Sequence, residues 1–278
     1  MTVFQAFFQG VIQGLTEFLP VSSSGHLSVA AHFFGIEGAG ATFSVFLHLG
    51  TLAAVVFAFF PRIKELFLEF FRMLADIFRG RFSFKNCGPT RRMLLMLILA
   101  LVPMLFVYPI KDTVSALSED DDVVVEGVCF IYTAVLLLLA EFTAKRTAEP
   151  LAEATPGRAV YIGFMQAIAV LPGVSRSGST VGAGLISGID RGYMIDFSFI
   201  MSIPVILAAG VSEAKDAFTE GVGVGAFPLI VGVVTAAVVG FFAIKALSWM
   251  VKNDKLWIFS VYLFLLGGFT VAAGICGL

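Results

Sequence analysis

Apolar residues run along this chain in long blocks separated by short polar stretches. Six blocks approach the roughly 20 residues that a helix needs to cross a bilayer: 42–60, 93–110, 123–142, 193–211, 226–248 and 256–276. Each predicts a spanning helix. Two further apolar regions, 3–35 and 159–190, are broken midway by Pro, Gly and a cluster of Ser. Neither half of either region is long enough to span. They predict re-entrant helix–loop–helix hairpins, whose broken backbone must be satisfied by protein or water. Residues 61–79 alternate charge and bulk at helical spacing. They predict an amphipathic helix, either lying partly on the cytoplasmic surface or extending the first span.

The polar stretches between the blocks differ in sign. Arg62, Lys64, Arg72, Arg79, Arg81, Lys85, Arg91 and Arg92 follow the first span, Lys145, Arg146 and Arg158 follow the third, and Lys252 and Lys255 follow the fifth. The alternate loops, 111–122 and 212–222, are acidic and poor in basic residues, and residues 1–41 contain no Lys or Arg. The positive-inside rule assigns the basic loops to the cytoplasm and the N-terminal region to the outer side. On that assignment the two hairpins enter from opposite sides, as in an inverted repeat. Short internal matches support a duplication. Leu19-Pro-Val-Ser-Ser-Ser-Gly25 aligns with Leu171-Pro-Gly-Val-Ser-Arg-Ser-Gly178, with Gly173 inserted, and Phe43-Ser-Val-Phe46 aligns with Phe197-Ser-Phe-Ile200. The offset is nearly constant, at 152 for Pro20/Pro172, 153 for Gly25/Gly178 and 154 for Phe43/Phe197. The expected architecture is an all-α polytopic membrane protein. It has six transmembrane helices plus two re-entrant hairpins in one membrane domain, 1–278, with repeat halves at about 1–142 and 159–278.

Composition agrees with that class. The chain is 58% hydrophobic and 14% charged, with a mean hydropathy of +0.95, whereas a soluble domain carries about a quarter charged residues. A net charge of −2 leaves no basic footprint for nucleic acid. Cys87, Cys129 and Cys276 are too scattered for a metal or redox motif. The first residues have no basic start and no small-residue cleavage site, so no cleavable signal is expected there.

Against this background, polar groups at membrane depth mark chemistry, because they are costly to place there. Gln13 and Glu17 are four apart and share a helix face. The helix is expected to stop near Pro20. Ser22, Ser23 and Ser24 then occupy the loop, and Gly25 permits the turn into a second helix carrying His26. In the second tract Gly173, Ser175, Arg176, Ser177, Gly178 and Thr180 repeat the arrangement and add a guanidinium. Helix N-termini present free N–H groups suited to phosphate, and arginine offers bidentate geometry for its oxygens. These parts suit phosphoryl transfer, which needs mainly positioning and charge neutralisation. Arg176, the loop amides and a divalent cation would bind a multiply charged phosphate. Glu17 would ligate that cation or act as a base, a serine hydroxyl or an activated water would attack phosphorus, and His26 would exchange the proton.

Blander readings stand beside these. Ser and Gly in membrane helices also serve close packing and capping, and Glu17 with Arg176 would also make a buried structural pair. His32 and His48 lack comparable surroundings and are expected to be structural. Glu126 and Glu141 are expected to snorkel at helix ends, and Arg191 and Asp196 to orient or cap a helix start.

The two tracts, Gln13-Gly-Leu-Thr-Glu-Phe-Leu-Pro-Val-Ser-Ser-Ser-Gly-His26 and Pro172-Gly-Val-Ser-Arg-Ser-Gly-Ser-Thr180, resemble the two signature motifs of the undecaprenyl-diphosphate phosphatase family of the bacitracin-resistance type. Length, segment count and the Phe-Ser-Phe tract after the second motif extend the likeness over nearly the whole chain. The resemblance implies a membrane enzyme of the cytoplasmic (inner) membrane that removes the terminal phosphate of a C55 polyprenyl diphosphate. It implies a site facing outward and dependent on a divalent cation, Mg²⁺ or Ca²⁺. By position, Glu17 matches the acidic and metal-binding residue, Ser23 the proposed nucleophile, His26 the motif histidine and Arg176 the phosphate-binding arginine. Gln13, Ser22, Ser24, Gly25, Gly173, Ser175, Ser177, Gly178 and Thr180 would surround the diphosphate. Many members have Glu at the position of Gln13, so a metal held by two carboxylates does not carry over. Inverted repeats with broken helices also build alternating-access carriers, which leaves a lipid transporter as the rival reading. The apolar faces between spans would serve equally against membrane lipid or a second copy, so a homodimer is compatible with the pattern.

Overall fold

The computed structural model describes residues 1–34, 40–84, 87–107, 109, 123–220 and 224–277, the side chains of 31, 34, 40–42 and 212–220 excepted. The acidic loop 111–122 therefore lies outside the described residues, as do the acidic side chains of 212–220. Among the described residues the secondary structure is helical, apart from one isolated bridge between Leu151 and Ile189.

In chain order the helices are α1 (Val3–Phe18), α2 (Ser23–Phe34), α3 (Gly40–Ala58), α4 (Phe60–Phe78), α5 (Pro89–Leu101), α6 (Met104–Val107), α7 (Val124–Arg146), α8 (Pro156–Ile168), α9 (Arg176–Ile186), α10 (Arg191–Glu220), α11 (Ala226–Lys252) and α12 (Trp257–Cys276). Five helical stretches are long and apolar enough to cross a membrane: Pro89–Val107, Val124–Arg146, Arg191–Val211, Ala226–Lys252 and Trp257–Cys276. They coincide with five of the six expected spans. A sixth results if Phe43–Ala58 and Phe60–Phe78 are joined, but these two are bent by 86°. The chain is thus a multi-pass membrane protein.

Proline accounts for several helix boundaries. Pro61 sits in the first turn of α4, where its missing N–H costs nothing, and it cannot continue α3, so the chain turns sharply at Phe59. The 86° bend rules out α4 as a straight extension of the first span. α4 buries only Leu66 and Met73. It is tied to α5 by Arg91, which donates to Glu69 at 2.6 Å and to Asp76 at 2.8 Å. Pro20 and Pro172 likewise follow the ends of α1 and α8. Each is followed by a residue in the left-handed region, Ser22 (φ 71°) and Gly173 (φ 85°), before a new helix starts.

Packing brings the two broken regions into one core. α1 lies along α11, α7 along α12, α3 against α10 and α11, α8 against α5, and α9 against α7 and α8. Small residues permit the closest approaches: a Cβ on Gly10 would sit 2.6 Å from the Gly232 carbonyl oxygen, and one on Gly14 2.8 Å from that of Ala236. Phe18, directly after Glu17, is fully buried and meets Phe199 edge to face at 5.7 Å.

One expectation about charges is corrected. Glu126 and Glu141 do not snorkel; they are 1% and 3% exposed. Glu126 accepts from Ser28 Oγ at 2.8 Å, which ties α2 to α7. Glu141 accepts from the Leu256 amide at 3.2 Å and forms an ion pair with Lys145 at 3.0 Å, placing a carboxylate at the start of α12, where helix N–H groups lack partners. The cap of α10 is Asp190, which accepts from the Tyr193 amide at 2.9 Å. Arg191 instead donates to the Val251 carbonyl at 2.8 Å and pairs with Asp254, closing the end of α11.

Candidate active site

The site lies where the breaks α1–α2 and α8–α9 meet. Glu17 occupies the last turn of α1 and is buried. Its Oε1 accepts from Arg176 Nη2 at 2.6 Å. Its Oε2 accepts from Ser23 Oγ at 2.9 Å and from Gln13 Nε2 at 3.0 Å. The helical spacing of Gln13 and Glu17, and the return of the chain at Ser22, put these donors on one carboxylate. Arg176 Nη2 also reaches the Glu17 carbonyl at 3.4 Å. A guanidinium has five donors, and both of these bonds use one nitrogen, so Nε and Nη1 are uncommitted among the described residues.

The tips touch directly. A Cβ on Gly25 would lie 2.9 Å from the Gly173 Cα and 2.7 Å from the Phe130 ring, which only glycine avoids. The Gly173 amide points to Ser24 Oγ at 3.5 Å, and Ser177 Oγ donates to the Leu19 carbonyl at 3.3 Å. Ser22 Oγ lies 3.3 Å from Ser24 Oγ and accepts from the Gly25 amide at 3.4 Å, a local cap for the start of α2.

Other residues of the second tract secure that loop. Ser175 is the N-cap of α9, accepting from the Gly178 amide at 3.1 Å, while its own amide donates to Thr133 Oγ1 at 3.2 Å. Thr180 Oγ1 donates to the Arg176 carbonyl at 3.0 Å and meets Ser198 Oγ on α10 at 2.5 Å. Their hydroxyls are thus occupied in shaping the loop.

The histidines are arranged differently from the expectation. His26 is held by Nδ1 to the Ser22 carbonyl at 2.7 Å and by Nε2 to Tyr262 Oη at 2.6 Å, with its ring stacked on Tyr262. Its hydrogen bonds run to Ser22 and Tyr262 rather than to Ser23 or Glu17. His48, expected to be structural, stands beside the site. Its Nδ1 lies 2.9 Å from the Ser44 carbonyl, which fixes that nitrogen as the N–H, and its Nε2 stands 3.8 Å from Glu17 Oε2. Sequence reasoning did not place His48 near Glu17. Its one signal is an ionisable side chain inside an apolar span, just after the Phe43-Ser-Val-Phe46 match to the second half.

A carboxylate holding a hydroxyl, beside a permanent cation with free donors, can take a proton from that hydroxyl while the cation receives an anion. Comparison with known proteins gives the family. Residues 6–269 match the family model described as bacitracin resistance protein BacA. A protein of Treponema denticola named undecaprenyl-diphosphatase is 39% identical over 272 residues, covering 96% of each chain. Proteins of the same name from Desulforapulum autotrophicum and Methanobrevibacter smithii are 34% and 35% identical, covering 99% and 96% of each chain. With one family model spanning nearly all of its length and relatives aligned end to end, this chain belongs to the BacA family.

Proposed function

We propose that this protein is an integral membrane phosphatase that converts undecaprenyl diphosphate to the monophosphate carrier and inorganic phosphate, returning the carrier to cell-wall polymer synthesis. The observation that carries this reading is the Ser23–Glu17–Arg176 cluster: a hydroxyl 2.9 Å from a buried carboxylate that is itself 2.6 Å from a guanidinium. The relatives' name supports the substrate.

Each side chain has a role in that reaction. Arg176 binds oxygens of the terminal phosphate and offsets the charge that builds as it transfers. Ser23 Oγ attacks the terminal phosphorus while Glu17 takes its proton. The bond from that phosphorus to the bridging oxygen breaks, and the lipid monophosphate leaves with the electron pair. The departing monophosphate takes the proton from Glu17, which frees the carboxylate to deprotonate a water. That water attacks the phosphorus, the Oγ–P bond breaks, Ser23 Oγ recovers the proton from Glu17, and inorganic phosphate is released. Glu17, rather than His26, is the base, because it is the group bonded to Ser23. His26 positions the Ser22 carbonyl and hence the loop. His48 adds a second proton-carrying group beside the carboxylate.

A divalent cation, Mg²⁺ or Ca²⁺, fits the donors here. Gln13 Oε1 is a buried oxygen without a hydrogen-bond partner, on a side chain whose Nε2 touches Glu17. Hard cations bind through one or two carboxylates together with substrate phosphates. Among the described residues no three His, Cys, Asp or Glu side chains converge, so diphosphate oxygens would complete the shell. Bound there, the ion would screen the charge of the diphosphate.

We read the two broken helix pairs as re-entrant hairpins of an inverted repeat in the cytoplasmic membrane, with the site facing outward. The charge pattern of the loops supports the orientation. The contact pattern supports the repeat, because exchanging the halves maps α1 on α11 onto α8 on α5 and leaves α3 on α10 and α7 on α12 unchanged.

The test is phosphate release from undecaprenyl diphosphate by purified protein in detergent, with and without chelator, beside the Arg176→Ala variant. Turnover that is lost on chelation and abolished in the folded variant is expected. A protein that binds polyprenyl phosphate yet releases no phosphate under any of these conditions would be a carrier instead.

A further inference from the structure

Beside the site, a cleft of about 550 Å³ runs between α1, α2 and α12. Leu15 and Leu19 form one wall, Val29 and Ala30 another, and Ile258 a third. Leu15 and Ile258 are each 40% exposed, so the cleft opens on the outer surface of the bundle. Its polar lining is confined to Thr16, His26 and Tyr262. The Thr16 hydroxyl is spent on the Ile12 carbonyl at 2.7 Å, and His26 and Tyr262 are spent on each other at 2.6 Å. The walls therefore suit hydrocarbon and offer no free donor to a polar ligand.

The cleft adjoins the catalytic tip. Leu19 belongs to both: its side chain lines the cleft, and its carbonyl accepts from Ser177. His26 lines the cleft and is bonded to the carbonyl of Ser22, next to Ser23. On α1 the cleft residues Leu15 and Leu19 lie on the face away from Gln13 and Glu17, following helical spacing. A molecule seated in the cleft thus reaches Glu17 and Arg176 by crossing the break at residues 19–23.

We propose that this cleft seats the isoprene units nearest the diphosphate of the lipid substrate, with the stacked His26–Tyr262 pair closing its head-group end. The proposal rests on the phosphatase reading above. A chain carbon with its hydrogens fills about the volume of a water, roughly 30 Å³, so the cleft holds roughly 18 carbons, between three and four isoprene units. The rest of the tail stays in the bilayer. Chain length should therefore matter up to that point and little beyond it, because each further buried chain carbon adds affinity only while there is cleft to fill.

The experiment measures kcat/KM for five-, fifteen-, twenty- and fifty-five-carbon isoprenyl diphosphates in wild type, Ala30→Trp and Ile258→Trp. In wild type kcat/KM should rise steeply to fifteen or twenty carbons and then level. In both variants the ratio of the twenty-carbon to the five-carbon value should fall at least tenfold. An unchanged ratio, with or without a uniform loss of rate, would overturn the proposal. A second measurement needs no turnover: a polyprenyl phosphate bearing a photoreactive diazirine on its first isoprene unit should crosslink to α2 and α12. Crosslinks confined to other helices would assign the cleft to bulk lipid. A wild type that releases no phosphate from any of the four compounds yet gives the α2 and α12 crosslinks would reject the phosphatase reading while keeping the cleft.

Discussion

Glu17 and Arg176 determine what Ser23 can do. A buried carboxylate without its cation is strongly disfavoured, and losing one partner of such a pair costs about 3–5 kcal/mol. Arg176→Ala thus combines a catalytic with a structural effect. Glu17→Gln removes the base while keeping the shape of the side chain, but it also takes the counter-charge from Arg176, so it should lower the thermal midpoint in detergent as Arg176→Ala does. We expect it to lower kcat by about 10³-fold in protein that still folds, within the range for general-base loss. Near-normal turnover in this variant would remove Glu17 as the base. Ser23→Ala should abolish both turnover and the acid-stable protein-bound phosphate trapped by quenching the wild type with terminally labelled substrate. If the wild type traps no label and Ser23→Ala turns over normally, water is the nucleophile. His48 Nε2 is 3.8 Å from Glu17, beyond hydrogen-bond length, so His48→Ala should cost only about tenfold; a loss as large as that of Glu17→Gln would make it the essential base. Sequence pattern exposed Gln13, Glu17, Ser23 and Arg176 because polar groups clustered at a broken apolar block are conspicuous. His48 escaped because its partner lies in another helix. Glu126 and Glu141 were misjudged because position near a helix end reveals nothing of the Ser28 hydroxyl or the Leu256 amide packed over them.

The helices meet at two glycines, and this sets how far the tips can be altered. At Gly25 even one methyl group would overlap the Phe130 ring and Gly173. Both obstacles are rigid, since one is a buried ring and the other backbone, so Gly25→Ala must push the two tips apart. Overpacking of this kind costs about 1–3 kcal/mol, and a displacement of about 1 Å at a reacting centre costs about 10²-fold in rate. Gly25→Ala should therefore lose more activity than stability, as read by phosphate release beside thermal unfolding. Gly173→Ala adds a left-handed φ of 85° to contacts with Cys129 and Glu126, so it should lose more stability than Gly25→Ala. The reverse order would place the strain elsewhere. The breaks themselves were legible in the sequence, because proline and glycine act through the local backbone. The bend between α3 and α4 was legible only as an alternative, since periodicity describes a helix face and not the angle to its neighbour. How the two tips interlock was not legible, because it depends on α7 and on the Phe130 ring between them.

For the protein as a whole, the charge pattern commits to a sidedness. The basic groups between α3 and α5 and those flanking α7, α8 and α11 lie in the cytoplasm only if the start of α1 lies outside. The contacts agree with a repeat: α1 lies on the second span of the other half, α11, as α8 lies on α5. With an odd number of crossings separating them, Val3 and Asn253 should face opposite sides. Both are exposed and suitable for labelling. Of the native cysteines, Cys87 and Cys129 are buried and Cys276 is exposed, so Cys276→Ser gives a quiet background. In that background a membrane-impermeant thiol reagent added to intact spheroplasts should modify Val3→Cys and spare Asn253→Cys, which should react only after lysis. The opposite result would turn the phosphatase site toward the cytoplasm, and the released phosphate with it. Reaction at both positions in intact cells would mean an even number of crossings between them, which two oppositely inserted halves cannot produce.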